Sequence, residues 1–385
     1  MIHNKSIYFD YAATTPVDGR VLEAMLPYFS DVFGNPSSIH RVGQSAEAIL
    51  EKSRETVANL LHCLPGEVIF TACGSESDNL ALRGAAFAAR EGRRANHILI
   101  SPVEHHAVTH TAQQLATHFG FELEYLPVDK YGLVDPHAVA SRLRSETAVV
   151  SVIHANNEIG SINPIAEIGA ICREHRIPFH TDSVQAAAHL PIDVQELNVD
   201  LMALGAHKFY GPKGIGVLFI RRGTSILPIL TGGGQESGLR AGTQNIPYIV
   251  GFAEAFRLAQ EERDQRAARL TPLRDHLIGQ ILEEIPQSML TGHPAQRLPN
   301  HASFVFQGVD GNVLLMHLDM EGFACSSGSA CKTGDPEPSD VLTAIGLPRE
   351  WGLGSLRLSL GVDSTPEQVE QFLNILPAVV QRIRR

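Results

Sequence analysis

Six short runs of apolar and β-branched residues recur between residues 67 and 221, separated by segments of helical character. They are EVIFTA (67–72), HILISP (97–102), TAVVSVIHA (147–155), PFHTDS (178–183), DLMALGA (200–206) and GVLFIR (216–221). Several are apolar at nearly every position, as expected of strands covered by helices on both faces of a parallel sheet. Between them, residues 77–90 are rich in Ala and Leu and follow a Gly-Ser turn. Residues 164–176 carry Ile165, Ile168, Ile171 and Cys172 at helical spacing, with Pro164 suited to a first-turn position. Strand–helix alternation of this kind specifies an α/β domain. In such domains ligands bind beyond the carboxyl ends of the strands.

After about residue 250 the pattern changes. Residues 251–284 form one long, charged helical stretch, with Pro272 as its expected point of interruption. SFVFQG (303–308) and SLRLSL (355–360) resemble strands, Asp310 is placed to cap a helix over 312–320, and 366–384 form a closing helix. This is the pattern of a smaller α+β domain, and 385 residues are too many for one core of ordinary size.

A net charge of −11 argues against bulk binding to nucleic acid or anionic membranes. The opening MIHNKSIYFDYAATTP lacks a basic region followed by an apolar run, so no secretory signal is expected. No apolar stretch is long enough to span a membrane. The five cysteines (Cys63, Cys73, Cys172, Cys325 and Cys331) are odd in number and include no CxxC pair. They are expected to be reduced thiols of a cytoplasmic protein, with neither a disulfide framework nor a zinc site.

The chemistry gathers at the ends of the expected strands. Lys208, in GAHKFYGPKG, follows an apolar run and precedes a Gly/Pro-rich turn. A buried lysine is costly unless neutralised or bonded, and a Schiff base with an aldehyde cofactor such as pyridoxal 5'-phosphate (PLP) achieves this. Asp182, in HTDSVQ, could pair with a pyridinium nitrogen, or could simply cap the next helix. GSESDN (74–79) opens a helix with Gly74 and Ser75, a potential phosphate site. His105, in SPVEHHAV, could stack on a cofactor ring or move a proton, although a lone histidine is commonly structural. Four strand ends that supply an anion turn, an imidazole, a carboxylate and a lysine are together more specific than any one of them.

These segments resemble the cysteine desulfurases of the NifS/IscS type, within the class-V aminotransferase-like, fold-type-I PLP enzymes. The resemblance is carried by YFDYAATTPVD, FGNPSS, SESDNLA, NNEIG, TDSVQ, GAHKFYGPKGIG, GGGQESGLRAGTQN, SSGSAC and LRLSLG, in the family's order from residue 8 to residue 361. It implies a large, mainly parallel α/β domain over 15–258 and a smaller α+β domain formed by 1–14 and 259–385. Lys208 would carry PLP and later move the substrate Cα proton. Asp182 would hold the ring nitrogen and Gln185 the ring oxygen. Gly74, Ser75 and His207 would bind phosphate, joined by Thr243 from a neighbouring subunit, which implies a homodimer. His105 would stack on the ring. Asn157 and Arg357 would hold the carboxylate of L-cysteine, with Asn35 nearby. Cys331 would take the sulfur, leaving alanine and a persulfide for an acceptor protein such as an iron–sulfur scaffold or a thiolation enzyme. Many members have a serine where this chain has Gly205, so one phosphate bond is expected to be missing.

A thiolate is the nucleophile, and at pH 7 only a few per cent of an unperturbed cysteine is ionised. Lys332 and His105 could raise that fraction at Cys331. Cys331 lies in SSGSACKTGDPEPS, where small residues precede it and Pro336 and Pro338 follow, so a mobile loop is expected. Cys63, Cys73 and Cys172 are expected to be small buried hydrophobes. Cys325 is expected to be structural, with a resolving thiol as the alternative. Two rival functions remain open on the sequence. One is a PLP lyase acting on cysteine or selenocysteine without a protein persulfide; the other is an assembly protein with vestigial catalysis.

Overall fold

The structure, a computed structural model, describes residues 6–328 and 337–384. Its larger sheet has seven strands: β1 (Val68–Thr71), β2 (His97–Ile100), β3 (Glu122–Tyr125), β4 (Thr147–Ser151), β5 (Phe179–Asp182), β6 (Leu201–Gly205) and β7 (Gly216–Ile220). Their spatial order is β1-β7-β6-β5-β4-β2-β3. The pairs from β6 through to β3 are all parallel, and β7 runs antiparallel to both of its neighbours. All six apolar runs therefore become strands of one sheet, and six of the seven strands are buried at every position. The exception is the edge strand β3, whose residues are exposed or half-buried.

Helices cover both faces. α1 (Arg41–Leu61) buries Ala46, Leu50, Val57 and Leu61 along one stripe, and α2 (Gly74–Arg93) follows β1. α3 (His106–Phe119) connects β2 to β3, and α4 (Ile165–Glu174) connects β4 to β5. Pro164 is the residue preceding α4. Because β2 leads outward to β3 on one side and is flanked by β4 on the other, the strand order reverses there, opening a crevice at the strands' carboxyl ends.

The long stretch after residue 250 is two helices, α5 (Ile246–Glu261) and α6 (Arg263–Glu284). The break falls at Glu262 and not at Pro272, which lies inside α6. A three-stranded antiparallel sheet then forms from β8 (Ser288–Leu290), β9 (His301–Phe306) and β10 (Ser355–Ser359), in the order β8-β9-β10. α7 (Gly311–Met320) is capped by Asp310, whose carboxylate accepts from the backbone N–H groups of Asn312 and Val313. α8 (Pro366–Ile383) starts with a capping box between Thr365 and Gln368. Phe304, Phe306, Leu356, Leu358 and Phe372 form a second core that also takes Phe9 from the beginning of the chain. The adjoining Ile7–Tyr8 pairs in parallel with Phe323–Ala324.

Candidate active site

Each strand that ends at the crevice delivers a different group. β1 runs through Cys73 into α2, the first turn of which holds Gly74 and Ser75. Helix N-termini carry N–H groups without intrahelical acceptors and a partial positive charge. Gly74 is required here: a Cβ on it would lie 2.7 Å from Cγ2 of Val184. Gly216 of β7 likewise passes beneath Cys73, where a Cβ would come within 2.6 Å of its carbonyl carbon. Cys73 is exposed, its sulfur caps α2 by accepting from Glu76 N at 3.4 Å, and it lines the crevice. The expectation of a small buried hydrophobe fails for Cys73, because it lies past the end of β1, at the N-cap of α2. Cys172 is buried; Cys63 is half-buried, and burial pushes both thiols up to about 12.

His105 follows β2 and caps α3: its Nδ1 accepts from Ala107 N at 3.1 Å. Burial lowers its pKa, so the ring is neutral and the remaining proton sits on Nε2. Asp182 closes β5 and is 5% exposed. Its Oδ1 accepts from Val184 N at 2.9 Å, a local turn bond. Burial, with Asp78 beside it, raises its pKa to about 6. Gln185, one turn on, donates from Nε2 to Ala12 O at 2.7 Å. Lys208 follows β6, and its Nζ donates to the carbonyls of Ala12 and Ala13, each at 2.7 Å. His207 is held near a pKa of 4 by burial and by Lys208, and its Nδ1 is 3.2 Å from Thr14 Oγ1.

All of these groups line one cavity of about 320 Å³. Asn157 and Arg357 also line it. Arg357 lies in β10, is 1% exposed, and donates from Nη1 to Asn157 O at 2.9 Å and Gly328 O at 2.7 Å. Asn35 and Thr243 are exposed and are not among the residues lining the cavity. Cys331 and Lys332 lie outside the described residues. On either side of them, Gly328 is held by Arg357, and the Ser339 hydroxyl donates to Glu158.

Two buried acids in this wall went unread in the sequence: Asp78 in α2 and Glu104 just before His105. A signal for Asp78 existed, since it shares a helical stripe with Leu82 and Ala85, where a charged residue has no place unless it serves the site.

The class-V aminotransferase family matches residues 7–372. The chain belongs to the class-V aminotransferase family. Within that family it is 49% identical over 381 residues to a protein named cysteine desulfurase IscS from Methanosarcina thermophila, covering 99% of this chain and 93% of that one. It is 46% identical to a protein of the same name from Dictyoglomus turgidum, covering 99% and 96%. Among solved structures, a NifS-like protein superposes with a TM-score of 0.91 at 36% identity, covering 98% of this chain and 100% of that one. An apo cysteine desulfurase from Thermococcus onnurineus gives a TM-score of 0.87 at 28% identity, covering 98% and 96%. The family fold extends over nearly the whole chain that frames this cavity.

Proposed function

We propose that the protein is a PLP-dependent cysteine desulfurase that converts L-cysteine to L-alanine and leaves the sulfur as a persulfide on Cys331. The observation that carries this reading is the meeting in one cavity of Lys208, Asp182, a neutral His105 and the N-terminus of α2. The donor set fits PLP. The amine of Lys208 suits the aldehyde, Asp182 the ring nitrogen, Gln185 the ring oxygen, the His105 ring a stacking contact, and Gly74, Ser75 and His207 the phosphate. When bound, PLP supplies an electron sink for negative charge at the substrate Cα.

The remaining work belongs to the chain. Arg357 and Asn157 would orient the substrate carboxylate. Lys208 Nζ would move the Cα proton. His105 Nε2 holds a proton in reach of the cavity. Cys331 Sγ, as thiolate, would attack the substrate sulfur as the Cβ–S bond breaks, so that one sulfur passes from substrate to protein and alanine departs. A persulfide is itself a sulfur donor, which fits delivery to an acceptor protein in iron–sulfur assembly or thiolation.

A homodimer is supported by a run of exposed apolar side chains close together in the sequence: Leu22, Leu26, Phe29, Phe33 (71% exposed) and Ile39. Thr243, exposed and away from its own cavity, would complete the phosphate site of the neighbouring subunit. A monomeric wild type in sedimentation would reject this. The division into a large unit over 15–258 and a smaller one from 1–14 and 259–385 belongs to the same reading, as does a cytoplasmic location. Among the described residues no helix is long and apolar enough to cross a membrane.

The deciding experiment compares wild type with Cys331→Ala. PLP absorbance is recorded, cysteine is added, and alanine and protein-bound sulfur are counted. Equal alanine and persulfide from wild type, with a coloured but inactive variant, is the expected result. A variant that still consumed cysteine would instead identify a lyase that works without a protein persulfide.

A further inference from the structure

Beneath the cavity three carboxyl groups crowd together. Asp78 comes from α2, Glu104 from the turn after β2, and Asp182 from the end of β5. Ligand atoms of Asp78, Asp182 and His105 all lie within 4.8 Å of one another. Asp78 is 1% and Glu104 4% exposed. Oδ1 of Asp78 has no hydrogen-bond partner, and what it faces is Nε2 of the buried His180, 3.4 Å away and equally unpartnered. The other nitrogen of His180, Nδ1, meets Ser151 Oγ at 2.9 Å. Glu104 Oε1 accepts from Ile153 N at 2.5 Å, while its Oε2 has no partner. Neither acid forms an ion pair with lysine or arginine among the described residues.

An ionised carboxylate buried in this way would leave charged oxygens without donors, charges on Asp78 and Asp182 at this spacing would repel each other, and both would oppose a charge on Glu104. A protonated acid avoids both costs and turns an oxygen into a donor. We propose that Asp78 and Glu104 are uncharged, proton-bearing positioning residues whose neutrality leaves Asp182 as the one ionised carboxylate under the cofactor ring. For Asp78 the acceptor would be Nε2 of His180.

Most of the surrounding groups agree; the Ile153 N–H and the Ser151 hydroxyl favour the ionised form of Glu104. Burial pushes both acids well above the usual carboxylate range, and Asp182 acts on Glu104 in the same direction. His180 is held neutral, near a pKa of 4, by the same burial. Asp182 differs: the Val184 N–H donates to its carboxylate and favours the ionised form. Asp78, if charged, would push Asp182 toward protonation, and a neutral Asp78 removes that push. Besides His105, the other titratable groups lining this cavity are Cys73, His106, Glu158, His207, Lys208, across from β6, and Arg357, from β10.

The inference rests on the PLP reading of the cavity, and its test is separable from it. Infrared spectra of the holoenzyme at pH 8 should show carbonyl stretches of two buried, protonated carboxylic acids, with Asp78→Asn and Glu104→Gln each removing one. These amides mimic neutral acids, so the midpoint of the acid limb of kcat/KM should stay in place. Were either acid ionised, removing its charge would move that limb down by about one pH unit, a tenfold change at a fixed acidic pH. A moved limb would overturn the proposal. So would the absence of protonated-acid bands from wild type, a result that needs no variant to fold. PLP absorbance in the same samples reports the cofactor reading, which fails only if PLP is not taken up.

Discussion

Arg357 reaches from β10 to Asp10, its Nη2 donating to Oδ1 at 2.7 Å, with the guanidinium almost wholly enclosed. The other end of the fork spans the carbonyls of Asn157 and Gly328. A planar guanidinium can satisfy all of these acceptors and still present an edge to a carboxylate.

Lysine has neither that fork nor that planarity. Arg357→Lys should therefore raise KM for cysteine at least about tenfold, or about 1.4 kcal/mol, while PLP absorbance is retained. Steady-state kinetics on the purified variant check this. An unchanged KM would remove Arg357 from the substrate site.

Gly205 has an extended backbone (φ −142, ψ 120) that any residue can adopt. A Cβ there would meet Val184 Cγ1 at 3.4 Å and Gly74 N at 3.6 Å, both ordinary contacts. The glycine is therefore not demanded by packing. Gly205→Ser would set a hydroxyl beside the first turn of α2 and should tighten PLP binding severalfold, about 1 kcal/mol. Titrating the apo-protein with PLP measures it.

His154 is buried against Ser183 Oγ at 3.0 Å and held near a pKa of 4 by desolvation. Its folded pKa lies below the unfolded value of about 6.5, so between these values the unfolded chain binds more protons. Its contribution to stability is present above about pH 6.5 and is lost as pH falls toward 4. At about pH 5 it costs the fold about 2 kcal/mol. Wild type should lose that much more than His154→Gln between about pH 7.5 and pH 5 in urea denaturation. Equal losses would show that His154 does not titrate with unfolding.

Cys325 packs against the second core, and burial together with Asp10 holds its thiol well above the usual range. Such a sulfur is a poor nucleophile. Cys325→Ala should leave single-turnover persulfide formation intact and cost about 1 kcal/mol of stability. A large loss of persulfide would make it a resolving thiol.

What could be read from the residues, and what could not, follows from physics. β1, β2, β4, β5, β6 and β7 announced themselves because each is buried on both faces and therefore apolar throughout. β3, ELEY, did not, since an edge strand half in water carries glutamates. α1 was also missed: its core contacts are spread through a polar sequence, RVGQSAEAILEKSRETVANLL. The break near residue 262 was misplaced at Pro272 because α6 accommodates that proline within the helix. Lys208, Asp182 and His105 were legible as strand-end residues, whereas Asp78 and Glu104 were hidden inside motifs that already had a use.

The backbone N–H of Ala12 donates to Ser359 Oγ at 2.8 Å, and Ser359 N donates in turn to Phe9 O at 2.8 Å. The carbonyls of Ala12 and Ala13 that hold Lys208 are thus fixed by a strand made some 350 residues later. During synthesis Ala12 and Ala13 are made long before the strand that fixes them. A nascent chain stalled before residue 355 would lack the strand that fixes these two carbonyls, so the resting place of Lys208 would be made only after residues 355–359 have been added.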